Sequence, residues 1–289
     1  MTSFRHLHIG SSTFNLSYTP LIMGVLNLTP DSFSDGGLYI NPEKAIIHAQ
    51  ELSQTGAHII DIGAESTRPM SVGISLDEEW RRLEPVLNAL SRTNLLISID
   101  TQKSEIARRA LLHGAHMIND ISAAQYDPLM FKVVAQAQVP YVLMHMRGTP
   151  STMQQGNLHY TNVCAEVRDF LHQRVILARQ QGIKQVLIDP GIGFGKCFED
   201  NLKLTFLIHQ LNTLIQKDLA CGIVYGCSRK TFISSIFQTQ DLKSCDDTSA
   251  LLSFSALLLG ADIIRVHNPM ACKKIIQIIE QQRKHTNHV

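Results

Sequence analysis

No apolar run in this sequence is long enough to cross a bilayer. The most apolar stretch, Ala250 to Ala261, is interrupted by Ser253, Ser255 and Gly260, whereas a spanning helix needs roughly 20 predominantly apolar residues. Met1 to Gly10 lacks the apolar centre of a signal peptide, so the expected location is the cytoplasm. Cysteine is sparse: Cys164, Cys197, Cys221, Cys227, Cys245 and Cys272 are scattered, with no C-x-x-C spacing. Without an export signal they read as free thiols rather than disulfides or zinc ligands. An excess of charge is missing too. Lys plus Arg (26) nearly balance Asp plus Glu (25), leaving a net +1, which gives no reason to expect nucleic acid or an anionic membrane as partner. No histidine pair has H-x-x-x-H spacing, so the histidines, His145 included, read as structural. Gly226-Cys227-Ser228-Arg229-Lys230 lacks the last glycine of G-x-S-x-G, which removes Ser228 as a hydrolase nucleophile. Both nucleotide fingerprints are also incomplete in Gly191-Ile192-Gly193-Phe194-Gly195-Lys196. Pro190 stands where a Walker loop needs its first glycine, Cys197 replaces its Ser/Thr, and Lys196 replaces the third glycine of G-x-G-x-x-G.

What is present is a repeating phrase. Gly56-Ala57-His58-Ile59-Ile60-Asp61, Gly114-Ala115-His116-Met117-Ile118-Asn119 and Gly260-Ala261-Asp262-Ile263-Ile264-Arg265 share one form. Each has a glycine where a helix should stop, a short apolar strand, and a polar residue at the strand's end. Gly182 to Asp189 is a looser copy. Such self-similarity is what a chain of βα units produces. Leu21 to Leu26 has the pattern of a buried strand, and Asn41-Pro42-Glu43 opens the helix that follows. Ser75-Leu76-Asp77-Glu78 is a capping box for a helix through Leu90, which should kink or split at Pro85. Further strands are expected at 95–99, 141–144 and 222–225, and further helices at 103–113, 128–138, 161–181, about 200–216 and about 248–259, with Asn268-Pro269 capping a last one. Phe4 to Ile9 and Thr13 to Leu16 read as a short hairpin ahead of this series. Eight alternating units in 289 residues, without a linker of disordered composition, predict a single α/β domain over 1–289. The fold class is a (β/α)8 TIM barrel with an N-terminal β-hairpin. A doubly wound open sheet is the competing architecture.

Active sites of such barrels form at the C-terminal ends of the strands. Those ends supply Asn27, Thr67 with Arg68, Asp100, Asn119, Met144, Asp189, Ser228 with Lys230, and Arg265 with His267. A structural barrel has no need of this set, because buried carboxylates and amides are costly unless paired. Carboxylates match the donors of a flat heterocycle's edge, an amide matches donor or acceptor, and a lysine matches a carbonyl. Arg265, His267 and Asn268 precede a helix N-terminus, where phosphate oxygens are favoured.

Several stretches carry a resemblance. Met23 to Gly37, Asp61-Ile62-Gly63-Ala64-Glu65-Ser66-Thr67-Arg68-Pro69, Asp189 to Lys196, Ser228-Arg229-Lys230 and Arg265-Val266-His267 occur in one order over nearly the whole chain. The chain resembles the dihydropteroate synthases, the folate-pathway transferases that sulfonamides inhibit. The resemblance implies condensation of 6-hydroxymethyl-7,8-dihydropterin diphosphate with 4-aminobenzoate, through a pterin cation, to 7,8-dihydropteroate and pyrophosphate. By the same resemblance Asp189 and Asn119 hold the pterin edge, Asp100 binds nearby, Lys230 reaches the carbonyl side and Met144 packs on the ring. Arg265, His267 and Arg68 take the diphosphate, Asn27 contacts Mg²⁺, and Asp35 stabilises the cation. Asp35, Lys230, Arg265 and His267 are thus the implied catalytic residues, and Phe33, Thr67, Pro69, Phe194, Ser228 and Lys230 line the implied aminobenzoate pocket. A homodimer is a further expectation, from family habit and the apolar late helices. Ala64, Met70 and Asn268 depart from the usual pattern of Gly, Gly and Asp, the first two with consequences for the second loop's flexibility. A methyltetrahydrofolate–corrinoid methyltransferase would not need Asp35, Lys230 or Arg265-Val266-His267, and a silent pterin-binding subunit could lose Asp35 or Arg68.

Overall fold

The repeated phrase folds into parallel strands whose inward faces change character halfway up. The computed structural model describes residues 5–29, 41–217, 219–237 and 241–286. A two-stranded antiparallel hairpin, β1 (His6–Ile9) and β2 (Ser12–Asn15), precedes a closed barrel. The barrel strands are β3 (Leu21–Asn27), β4 (Ile59–Gly63), β5 (Leu96–Asp100), β6 (Met117–Asp120), β7 (Tyr141–Met144), β8 (Val186–Asp189), β9 (Gly222–Tyr225) and β10 (Ile263–Val266). Each pairs with the next in parallel, and β10 closes on β3. The expected barrel is therefore the observed one, and the open sheet is excluded by that closure.

Side chains alternate in and out along a strand. At the lower level the inward residues are Met23, Ile59, Met117, Val142, Leu187, Val224 and Ile263, which pack with Leu7, Ile9 and Leu16 of the hairpin region. The hairpin thus stoppers the barrel's N-terminal end. Two residues further along, the inward positions are Asp61, Asn119, Asp189 and Arg265. Apolar below and polar above is what aims the chemistry at one mouth. Outward strand residues such as Ile60, Ile62, Ile97, Ile99 and Ile118 pack under the surrounding helices as the main core.

Those helices are α1 (Pro42–Gln54), α2 (Leu76–Leu90), α3 (Ser104–Leu112), α4 (Leu129–Ala137), α5 (Val163–Gln180), α6 (Phe198–Phe206), α7 (Asn212–Gln216), α8 (Thr231–Phe237), α9 (Leu242–Leu258) and α10 (Pro269–Thr286). Asn41 caps α1 by accepting from the Glu43 and Lys44 amides, and Ser75 caps α2 from the Glu78 amide. Three expectations need correction. Pro85 does not split α2, which runs unbroken past it. Pro85 is exposed, so water can replace the backbone hydrogen bond it deletes. The expected helix over 200–216 is broken into α6, a 3₁₀ turn at Ile208–Leu211 and α7. Its buried residues Ile208, Leu211 and Leu214 recur every third position, the period of a tighter helix. Finally, α9 begins at Leu242 because Asp241 accepts from the Ser244 amide at 2.8 Å, a cap the apolar pattern did not register. All six cysteines are free. Among the described residues no helix is long and apolar enough to cross a membrane.

Candidate active site

Asp61 sits at the centre of the upper layer. It is fully buried on β4, and its Oδ2 accepts from Asn119 Nδ2 at 3.0 Å and from Arg265 Nε at 2.7 Å. Arg265 Nη2 donates in turn to Asp100 Oδ2 at 2.8 Å. One guanidinium is thus clasped by two carboxylates, and the other oxygen of Asp61 is buried without a partner. A carboxylate only accepts, so the Asn119 amide must turn its NH₂ to Asp61 and leave its carbonyl for the pocket. Burial pushes the Asp100 carboxyl up to about 7 against the pull of Arg265.

Asp61 was not among the expected site residues, although a signal was present. It holds the same place in the repeat as Asn119 and Arg265, the two residues it binds. The adjacent Asp120 points outward and is structural. It accepts from Tyr141 Oη at 2.6 Å and from the amides of Ser122 and Ala124.

Across the mouth, Asp189 Oδ1 accepts from the Gly191 amide at 2.7 Å, and burial raises its pKa against Lys230. Lys230 Nζ donates to Ile192 O at 2.5 Å and lies 4.5 Å from the centre of the Phe194 ring. Burial lowers its pKa to about 8, with Asp189 opposing. Met144 and Phe194 pack with Ile121, Met146 and Met153 as an apolar wall. Beyond Arg265, the His267 amide donates to Ser228 Oγ at 3.2 Å, and its Nδ1 lies 3.1 Å from the same oxygen. Burial, with Arg265 next, depresses the His267 pKa to about 3. The ring is therefore neutral at pH 7 and offers a hydrogen bond without a charge. Asp246 on α9 ties these two loops together. It takes Arg229 in a two-point pair at 2.8 and 2.9 Å, and Asn268 Nδ2 at 3.2 Å. The departure at Asn268 thus supplies a donor where an aspartate would face another carboxylate.

The loop after β4 carries Thr67, half-buried, and Arg68 and Pro69, both exposed. No hydrogen bond among the described residues joins them to the Arg265 cluster. The loop is anchored from below instead. Lys103 Nζ pairs with Glu65 at 2.8 Å and with the fully buried Glu79 at 2.5 Å. At its tip the Met70 amide donates to Pro150 O at 3.0 Å, with Met70 at φ 65°. Glycine reaches that conformation freely and methionine does not. Met70 is also 75% exposed, so its side chain has little packing to lose. Met70→Gly is expected to leave stability unchanged or raise it by up to about 1 kcal/mol, as strain relief outweighs unfolded-state entropy. Urea titration would measure it.

Asn27 ends β3, half-buried and in register with Gly63. No group of three or more His, Cys, Asp or Glu suited to a metal occurs among the described residues. One amide oxygen fits Mg²⁺ only where ligand oxygens and water complete the shell, so it suits a metal that arrives with a diphosphate. Phe33 and Asp35 lie outside the described residues.

Residues 23–267 match the model of the pterin binding enzyme family. A dihydropteroate synthase of Synechocystis is 42% identical over 278 residues, 95% of this chain and 94% of that protein. A mitochondrial folate synthesis bifunctional protein of pea is 45% identical, and there the chain spans only 54% of the relative's length. Among solved structures, dihydropteroate synthase of Xanthomonas albilineans with 4-aminobenzoic acid superposes with a TM-score of 0.87 at 36% identity, covering 97% of this chain and 99% of that one. The Yersinia pestis enzyme in complex with a sulfonamide drug gives 0.87 at 35% identity, covering 96% and 99%. The polar mouth of the barrel and these likenesses lead to one conclusion: the chain belongs to the dihydropteroate synthases, transferases of folate synthesis within the pterin-binding family.

Proposed function

We propose that this mouth condenses 6-hydroxymethyl-7,8-dihydropterin diphosphate with 4-aminobenzoate, releasing pyrophosphate through a pterin cation. The observation that carries the reading is the inward polar layer of Asp100, Asn119, Asp189 and Lys230 around Arg265. Asp189 and Asp100 present acceptors to the N–H edge of a flat ring, the Asn119 carbonyl adds a third, and Lys230 donates to the ring's carbonyl. Met144 packs on the ring face. Arg265 and neutral His267, at the head of α10, receive the departing diphosphate oxygens, one by charge and one by hydrogen bond. Asn27 would hold Mg²⁺, which when bound neutralises diphosphate charge. Asp35 is assigned to stabilising the cation, Arg68 to the diphosphate, and Phe33, Thr67, Pro69, Phe194, Ser228 and Lys230 to bordering aminobenzoate. Sulfonamides, bound by the Yersinia relative, should compete with aminobenzoate. A pyrophosphate-release assay with the pterin diphosphate, with and without 4-aminobenzoate, tests the reading. Release that never depends on the arylamine would defeat it.

Asp100 makes binding depend on pH. Its raised pKa means that part of the population is protonated near neutrality, and only the ionised form accepts fully from the ring. Pterin affinity should therefore strengthen as pH rises from 6 to 8, and Asp100→Asn should flatten that slope in calorimetric titrations. The same shift acts oppositely on folding. The group's contribution to stability is complete below its ordinary value of 3.8 and is lost as pH rises through about 7.

The proposal includes a homodimer. Leu251 and Leu258 on α9 and Met270 and Ile278 on α10 are each at least half exposed, on two helices that pack side by side. Sedimentation at micromolar concentration should give twice the chain mass, and a monomer there would remove the dimer.

A further inference from the structure

Lys196 has no role in the reaction proposed above, yet it is one of the most enclosed cations in the molecule. It is 3% exposed, and its Nζ donates to Gly191 O at 2.8 Å, Phe194 O at 2.9 Å and His145 Nδ1 at 3.0 Å, with His145 O at 3.3 Å. Burial, with Lys230 next, lowers the Lys196 pKa well below the usual lysine value. The three short contacts are nonetheless all to acceptors and match the three N–H groups of an ammonium, where a neutral amine has only two. Among the described residues no carboxylate forms an ion pair with it. His145 is suited to accept, because burial, with Lys196 next, lowers its pKa to about 2 and keeps the ring neutral.

The glycine-rich segment 191–195 is therefore a phosphate loop turned inside out. A phosphate loop points backbone N–H groups at an anion, whereas this one points carbonyls at a cation. Close approach makes that possible. Gly191 and Gly195 have φ of 67° and 64°, and a Cβ would lie 1.8 Å from His145 O and 2.6 Å from Arg147 O. The outer side of the same loop faces the mouth. Ile192 O holds Lys230 Nζ, the Phe194 ring lies against that ammonium, and the Gly191 amide reaches Asp189.

We propose that Lys196 is a positioning residue for the arylamine half of the reaction. Its ammonium is the centre on which the 191–195 loop is folded, and through the Phe194 and Gly191 carbonyls it sets the Phe194 ring and the Ile192 acceptor of Lys230. This rests on the functional reading above, in which Phe194 and Lys230 border aminobenzoate. The pterin side depends less on the cage, since Asp100, Asn119 and Asp189 are carried on strand ends and the loop reaches that side only through Lys230 and the Gly191 amide.

The test measures kcat, the KM for 4-aminobenzoate and pterin diphosphate affinity by calorimetry, in the wild-type chain, Lys196→Met, His145→Leu and His145→Asn. Misplacing a positioned group by about 1 Å can cost roughly a hundredfold, so Lys196→Met should raise the aminobenzoate KM about ten- to a hundredfold. Its kcat and pterin affinity should stay within about threefold of wild type. His145→Leu removes one acceptor and should shift the same KM less, whereas His145→Asn keeps an acceptor on the same branch and should restore it. If Lys196→Met does not fold, the pair at position 145 decides. Equal losses for both substrates, an unchanged aminobenzoate KM, or identical behaviour of His145→Leu and His145→Asn would overturn the inference. Wild-type chain without aminobenzoate-dependent release would instead overturn the functional reading, and this inference with it.

Discussion

Arg265→Met should destabilise the chain more than any other single substitution at the barrel mouth. Among the described residues Arg265 is the one cation that pairs directly with Asp61 and Asp100, at 2.7 and 2.8 Å. Without it, the fully buried Asp61 keeps only the Asn119 amide, with its other oxygen already unpartnered, and Asp100 loses its guanidinium partner. Removing one member of a buried ion pair costs about 3–5 kcal/mol, because the remaining charge is left uncompensated. The deficit should depend on pH with a definite sign. Burial already lifts the Asp100 pKa to about 7 with the guanidinium present, and Arg265 is the pull that opposes it. Taking that pull away raises the folded-state pKa further, so folding must carry more protons than the unfolded chain up to higher pH. The variant should lie nearest wild type at about pH 5 and furthest from it at about pH 8. Denaturant titrations at the two pH values would show it. A deficit that does not change with pH would mean that the cluster's charge is not what Arg265 balances. Turnover should fall as well, since the departing pyrophosphate loses its cation.

Asp189→Asn should separate binding from folding. The asparagine retains an oxygen for the Gly191 amide, now held at 2.7 Å, so the loop keeps its first anchor and thermal stability should change little. The pterin edge, in contrast, loses a charged acceptor. Hydrogen bonds to charged groups are worth about 1.5–3 kcal/mol. At about 1.4 kcal/mol per decade, pterin diphosphate affinity should drop roughly ten- to a hundredfold. Calorimetry on the folded variant decides it. Undiminished affinity would take the ring away from Asp189 and from this side of the barrel. The effect should exceed that of a distant carboxylate because Asp189 lies within the field of both Lys230 and Arg265.

Much of this site could be read before any coordinates. The polar residue closing each repeated phrase was expected at a strand end, and Asp100, Asn119, Asp189 and Arg265 all lie at the mouth. The caps at Asn41 and Ser75 were legible because capping is a contact between residues two or three apart. Other features were not, for reasons of distance or burial. Asp61 looked like one letter of a motif until the barrel brought it to Asn119, 58 residues away, and Arg265, 204 residues away. Arg265 had been grouped with His267 for an anion, and the structure also gives it two carboxylate partners within the protein. Pro85 was expected to kink or split its helix, and its exposure explains why the helix is not split there. Lys196 was weighed only as part of a failed nucleotide fingerprint, since which way a loop's carbonyls turn is not written in its residue types.

The sequence by itself determined the alternation of strand and helix, the number of units, and which strand ends carry polar groups. Each of these follows from periods of two and of 3.6 residues and from local caps, all short-range properties. Tertiary structure alone decided which of those groups share a charge. Closing β10 onto β3 brings residues from opposite ends of the chain into one buried layer. There, removal from water makes the choice of partner for every carboxylate and cation an energetic necessity.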